Sequence, residues 1–195
     1  MAALCVILAA PAARTALAEG DPERGRLLGY TCLGCHGIEG YRNAYPSYRV
    51  PKLGGQKPEY VAGALRAYRD GTREHHTMQA QSAVLNDQDI EDLAAWVAQA
   101  GVASDDVDAA AVANLEAAQV CITCHGTAGA AMVPIPPVLS GQHSSYLEQA
   151  LRQYRDGERG TTVMSGFAAP LSEDDIKRLA EFYSSQEGLQ TVGTD

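Results

Sequence analysis

The sequence repeats itself, and the repeat constrains the fold more than any other feature does. Cys32-Leu33-Gly34-Cys35-His36-Gly37 matches Cys121-Ile122-Thr123-Cys124-His125-Gly126 at an offset of 89 residues. Beyond these hexapeptides the offset falls to 86 and stays there. Pro51-Lys52-Leu53-Gly54-Gly55-Gln56 aligns with Pro137-Val138-Leu139-Ser140-Gly141-Gln142, Tyr60 with Tyr146, Met78 with Met164, and Leu93-Ala94 with Leu179-Ala180. Leu65 to Gly71 aligns likewise with Leu151 to Gly157. The change of offset puts three extra residues in the first half, within Glu39 to Tyr48. A chain of this kind folds as two copies of one unit.

Each unit reads as three helices without convincing strand alternation, so the fold class is all-α. Asp21 with Pro22 opens the first helix, whose counterpart runs from Asp108 to Val120. The second begins near Pro58 and ends at Gly71; its counterpart begins after Ser144 or Ser145 and ends at Gly157. The third opens on a capping pair, Asn86 with Asp89 and Ser172 with Asp175. Apolar residues follow at helical spacing: Ile90, Leu93, Trp96 and Val97, then Ile176, Leu179, Phe182 and Tyr183. The expected division is a leader over 1–18, a domain over 19–99, a linker over 100–108 and a domain over 109–190, with a loose tail after Gly188. Phe and Trp together number three in the whole chain, so two cores of this size are thin without further support.

A bound cofactor in each unit supplies that support, and the cysteines say which. Cys-x-x-Cys-His is the attachment signature of c-type haem. Two cysteines one helical turn apart reach two vinyl groups of one porphyrin, and the adjacent histidine faces the iron. Cys32, Cys35 and His36 form one such set, and Cys121, Cys124 and His125 the other. A redox-active Cys-x-x-Cys lacks its βαβ setting here. A zinc site needs a fourth clustered ligand. Two covalently bound haem c groups are therefore expected.

Met78 and Met164 recur at equivalent positions and are the candidates for the other axial ligand of each iron. A thioether there stabilises ferrous iron and closes the coordination sphere. His75 and His76 lie beside Met78, where the second half has Thr161 and Thr162, and compete with it; their plainer reading is solvent-facing histidines in a loop. Pro51 and Pro137 are placed to pack on the proximal imidazoles, with neighbouring carbonyls taking the Nδ1 proton. Arg69 and Arg155, with Tyr68 and Tyr154, have two open readings: contact with haem propionates or the domain interface, or an ordinary solvated helix end. His143 reads as a surface residue near a helix start.

Lys and Arg number 15 against 24 Asp and Glu, a net charge of −9, and no basic run stands out. Nucleic acid is thus not an expected partner. Leu4 to Ala13 is apolar and Ala16-Leu17-Ala18 reads as a cleavage site, which implies export to the periplasm. Cys5 falls inside this leader.

With these residues in place, the chain resembles the cytochrome c4 family from Glu19 to Glu187. The resemblance rests on the two attachment motifs, the Leu-x-Gly-Gln segments at Leu53 to Gln56 and Leu139 to Gln142, the Tyr-x-x-Gly-x-Arg pattern that closes the second helices, and the capped third helices. It implies two tandem class I cytochrome c domains related by a pseudo-twofold axis, with the haems near the domain interface. It also implies His–Met ligation by His36 with Met78 and His125 with Met164, a periplasmic location, and electron transfer. The expected donor is a cytochrome reductase or dehydrogenase and the expected acceptor a terminal oxidase; peripheral association with a membrane stays open. The family often has Pro-Met or Met-Met at the ligand loop, whereas this chain has His75-His76-Thr77-Met78. Two other functions remain in view: the cytochrome subunit of a sulfide- or alcohol-oxidising dehydrogenase, and a di-haem peroxidase.

Overall fold

The structure, a computed structural model, describes residues 19–99, 112, 115–131, 136–160 and 162–193. The expected leader and linker, most of the helix expected from Asp108, and Met132 lie outside the described residues. The described residues are helical, with two isolated β-bridges.

The first half holds α1 (Pro22–Leu28), α2 (Leu33–His36), α3 (Pro58–Arg69), α4 (His76–Ser82) and α5 (Asp87–Ala98). The second holds α6 (Ile122–His125), α7 (Ser144–Arg155), α8 (Val163–Ala168) and α9 (Glu173–Ser184). Local chemistry sets these ends. The Asp21 carboxylate accepts from the backbone N–H of Glu23 and Arg24, at 3.0 and 3.2 Å, and Pro22 takes the first helical position. Asn86 with Asp89 and Ser172 with Asp175 both close capping boxes. Each half also holds a short helix, α4 or α8, where a loop was expected, and these carry Met78 and Met164.

The buried faces follow the helical spacing. Ile90, Leu93, Trp96 and Val97 of α5 pack with Val61 and Ala62 of α3. Leu179, Ala180 and Tyr183 of α9 pack with Leu147 of α7 and with Leu115 and Ala118. Gly55 and Gly141 anchor equivalent turns, their N–H groups donating to Val97 O and Tyr183 O at 2.8 and 2.9 Å. Both have positive φ, +83° and +71°, the left-handed region that glycine occupies without strain.

Two segments cross between the halves. The segment that holds the three-residue insertion forms a hairpin: Val50 N–H donates to Tyr41 O and Asn43 N–H to Tyr48 O. It lies against α7, with Arg49 N–H on Ser145 Oγ at 3.1 Å and the buried Tyr48 ring 6.3 Å from that of Tyr146. Over residues 189–193 the tail is packed rather than loose. Gln190 exchanges two backbone hydrogen bonds with Gly54, at 2.9 and 3.0 Å. Leu189 and Val192 are each 2% exposed, and Val192 joins the core of the first half. Burial of the Leu189 and Val192 side chains, together with the two backbone bonds to Gly54, offsets the entropy lost in ordering the strap.

Candidate functional site

Each Cys-x-x-Cys-His segment is one tight helical turn. Backbone N–H groups of Cys35 and His36 donate to Cys32 O, at 3.1 and 2.8 Å. Those of Cys124 and His125 donate to Cys121 O, at 3.2 and 3.0 Å. The turns open on one cavity of about 480 Å³ that runs through both halves. Cys32, Cys35, His36 and Met78 line it from the first half, and Cys121, His125 and Met164 from the second. Cys124 is exposed and is not part of the lining. Cys32, Cys35, Cys121 and Cys124 form no disulfide with one another.

The histidine rings are fixed. His36 Nδ1 lies 2.8 Å from Pro51 O, and His125 Nδ1 lies 2.9 Å from Pro137 O. A carbonyl only accepts, so Nδ1 carries the proton and Nε2 is left as the unprotonated nitrogen. Burial lowers both pKa values, and the carbonyl bonds oppose this only in part, so the rings are held neutral. The proline's own carbonyl makes the contact, where the sequence suggested that of a neighbour.

His75 and His76 separate. His76 is exposed and outside the cavity lining. His75 is half-buried, lines the cavity and caps α4, its Nδ1 accepting from Met78 N–H at 3.3 Å. That bond requires a bare Nδ1, so the neutral ring carries its proton on Nε2 and offers no free nitrogen. His75 is therefore not the solvent-facing loop residue expected.

One pair of open readings is decided, and one further reading needs correction. Arg69 and Arg155 stay out of the cavity. Arg69 pairs with Asp87 at 2.9 Å and Arg155 with Glu173 at 2.7 Å, tying the end of α3 to the start of α5 and the end of α7 to the start of α9. Their charge is used by the first-turn carboxylates of α5 and α9. His143 sits at a helix start as expected but is 7% exposed, because the hairpin half covers the start of α7.

The arginines that line the cavity are Arg73 and Arg159, two repeat-equivalent residues that the sequence analysis did not single out. Arg73 lies over Tyr68, 4.6 Å from the ring centre, and Arg159 lies over Tyr154 at 4.9 Å. Each reaches across the boundary: Arg73 donates to Tyr146 Oη at 3.3 Å, and Arg159 to Tyr60 Oη at 3.4 Å. Arg159 is 8% exposed, and its Nε has no partner among the described residues. Burial would raise the Tyr146 phenol, but the two guanidinium charges and their hydrogen bonds outweigh it and bring it down to about 8. Their recurrence within Tyr-x-x-Gly-x-Arg was the signal that could have found them.

These features fit haem. The cavity is apolar and spans both attachment turns, each histidine offers one bare nitrogen, and two guanidiniums without a carboxylate partner among the described residues face the same space. Haem carries two carboxylates and has an apolar body.

The comparisons with known proteins agree. Residues 23–101 match the family described as Cytochrome c, and residues 108–182 that described as Cytochrome C oxidase, cbb3-type, subunit III. The chain is 31% identical over 180 residues to a cytochrome c4 of Pseudomonas aeruginosa, covering 85% of this chain and 88% of the relative. It is 28% identical over 174 residues to a thiosulfate dehydrogenase electron acceptor of Stutzerimonas stutzeri, covering 79% of this chain and 78% of the relative. The crystal structure of reduced recombinant cytochrome c4 from Pseudomonas stutzeri aligns with a TM-score of 0.68 at 29% identity, covering 86% of this chain and 100% of that one. Two cytochrome c units joined across one cavity, matched over nearly their whole length, place the chain in the cytochrome c4 family, as an electron carrier with two covalently bound haem c groups.

Proposed function

We propose that Cys32 and Cys35 hold one haem by thioether bonds and Cys121 and Cys124 the other. His36 and Met78 are the axial ligands of the first iron, and His125 and Met164 those of the second. Each haem supplies a one-electron iron couple. The observation that carries this reading is the single cavity lined by both histidines and both methionines, with each histidine's Nδ1 tied to a carbonyl. Arg73 and Arg159 take the haem carboxylates at the boundary between the halves. A methionine thioether favours the ferrous state and excludes small oxidants from the iron, as suits a carrier.

The same reading puts the protein in the periplasm, with electrons passing from a reductase or dehydrogenase to a terminal oxidase. The apolar leader with its Ala16-Leu17-Ala18 site supports export. No helix among the described residues is long and apolar enough to cross a membrane. The test is a spectroelectrochemical titration of Met78→Ala beside the parent. One haem is expected to lose its high potential while the other keeps it. If both are unchanged, Met78 is not a ligand.

A second reading, the electron-accepting subunit of a sulfur-oxidising enzyme, is favoured by the likeness to the thiosulfate dehydrogenase electron acceptor. A chain that purifies alone supports the free carrier, and a stable complex with a catalytic subunit supports the second reading.

A further inference from the structure

Gln56 and Gln142 are repeat-equivalent, 5% and 3% exposed, and each reaches into the other half. Gln142 Oε1 accepts from Lys52 N–H at 2.9 Å, and its Nε2 donates to Lys52 O at 3.0 Å. Gln56 Oε1 accepts from Val138 N–H at 2.8 Å, and its Nε2 donates to Val138 O at 3.1 Å. Each Oε1 also accepts the N–H at the start of its own helix, Lys57 or His143, at 3.0 Å. The side-chain amides are thus held from both sides and cannot swing freely.

The targets of these bonds are significant. Lys52 N–H belongs to the same peptide group as Pro51 O, which accepts from His36 Nδ1. Val138 N–H belongs to the same peptide group as Pro137 O, which accepts from His125 Nδ1. A hydrogen bond at one end of a peptide polarises it and strengthens the bond at the other. We propose that Gln56 and Gln142 are positioning residues that set the donor strength of the opposite half's proximal histidine through one shared peptide. The route runs His36 to the Pro51–Lys52 peptide to Gln142, and His125 to the Pro137–Val138 peptide to Gln56. A carbonyl made a better acceptor draws the Nδ1 proton, gives the ring more anionic character and favours ferric iron. Each half thereby holds down the potential of the other half's haem. Separating the halves releases that hold.

This inference rests on the proposed ligation by His36 and His125, and its test keeps the two apart. Ring-¹⁵N histidine labelling of the haem-loaded full chain reads His36 and His125 separately through a stepwise oxidation, so each potential is assigned to its half. Gln142→Met is expected to raise the potential that His36 reports and to move the His36 Nδ1–H signal, leaving the His125 potential in place. Gln56→Met is expected to do the reverse. A variant that shifts its own half's potential, both potentials equally, or neither overturns the inference. Should Gln142→Met not fold, Gln142→Glu keeps an acceptor at Lys52 N–H, and a potential at His36 at or below the parent's is expected; a rise overturns the inference. Failure of the ligand reading shows independently, as ring signals of His36 or His125 without hyperfine displacement in the oxidised parent.

Discussion

Gly25 of α1 faces the main chain of Asp92 on α5 so closely that a Cβ on Gly25 would lie 1.9 Å from the Asp92 carbonyl oxygen. The same Cβ would lie 2.9 Å from that of Trp96. The two helices therefore cross at a point where only a bare α-carbon fits, and α1 leads directly to the first attachment turn. Gly25→Ala must push α1 off α5, against backbone that does not yield. The expected cost is about 1–3 kcal/mol or more, in the range of core overpacking. Gly63→Ala is the control: a Cβ there meets nothing within 4 Å, and the helical site is expected to gain up to about 1 kcal/mol. Urea unfolding of the two variants beside the parent checks the contrast.

Asp92 also makes that crossing depend on pH. Its side chain is 1% exposed and accepts from Asp21 N–H at 2.8 Å and Gln88 Nε2 at 2.9 Å, and it pairs with Arg24. Burial would raise its pKa, but these three donors together outweigh burial and lower it. A carboxylate with a depressed folded pKa contributes stability fully present above its unfolded value, about 3.9, and lost as pH falls through the lower folded value. Asp92→Asn is expected to lose about 1.5–3 kcal/mol at pH 7, the range for hydrogen bonds to a charged group. The gap from the parent should close below about pH 3.9. Unfolding titrations at pH 7 and in acid measure it.

The tail gives a third outcome. Leu189 is buried against Ala131 and Val138, while Val192 packs in the core of the other half. Leu189→Ala is expected to cost about 2–5 kcal/mol, the range for truncating a buried leucine. A chain ending at Gly188 loses both side chains and the Gly54–Gln190 bridge, and should unfold at lower temperature than Leu189→Ala. Equal midpoints for the truncated and parent chains would show that the strap contributes nothing.

What the sequence made legible was local or repeated. Asp21, Asn86 and Ser172 act within four residues of themselves, so their caps could be read directly. The attachment turns need only consecutive residues, and Met78 and Met164 stood out because they recur. What was hidden depended on how the halves meet. The tail looked loose because nothing nearby pairs with it; its partner, Gly54, lies more than 130 residues away. Arg69 was as good a candidate as Arg73 for the boundary, being equally repeated, and only the placement of Asp87 shows that its charge is already met. His143 looked exposed because the segment packed over the start of its helix comes from the other half, where the three extra residues lie.

Arg73 and Arg159 set the last prediction. Two guanidiniums at one apolar boundary repel each other and lose hydration, and burial keeps the neighbouring Tyr68 and Tyr154 phenols in their neutral form. An anion beside them offsets this cost, and the haem carboxylates are at hand in the proposed arrangement. Removing one guanidinium strands a buried carboxylate, which costs about 3–5 kcal/mol where the pair is fully enclosed. It also takes a positive charge from beside both irons, and positive charge favours the ferrous state. Arg159→Met is therefore expected to lower both reduction potentials and the unfolding midpoint together. In the parent, carboxylates seated on the two arginines cancel the charge that holds the Tyr146 phenol near 8, so that phenol should stay protonated well past pH 8 once haem is attached. Carbon-13 labelling at tyrosine Cζ reads this titration directly. A Tyr146 signal that titrates near 8 in the haem-loaded protein would place the propionates elsewhere.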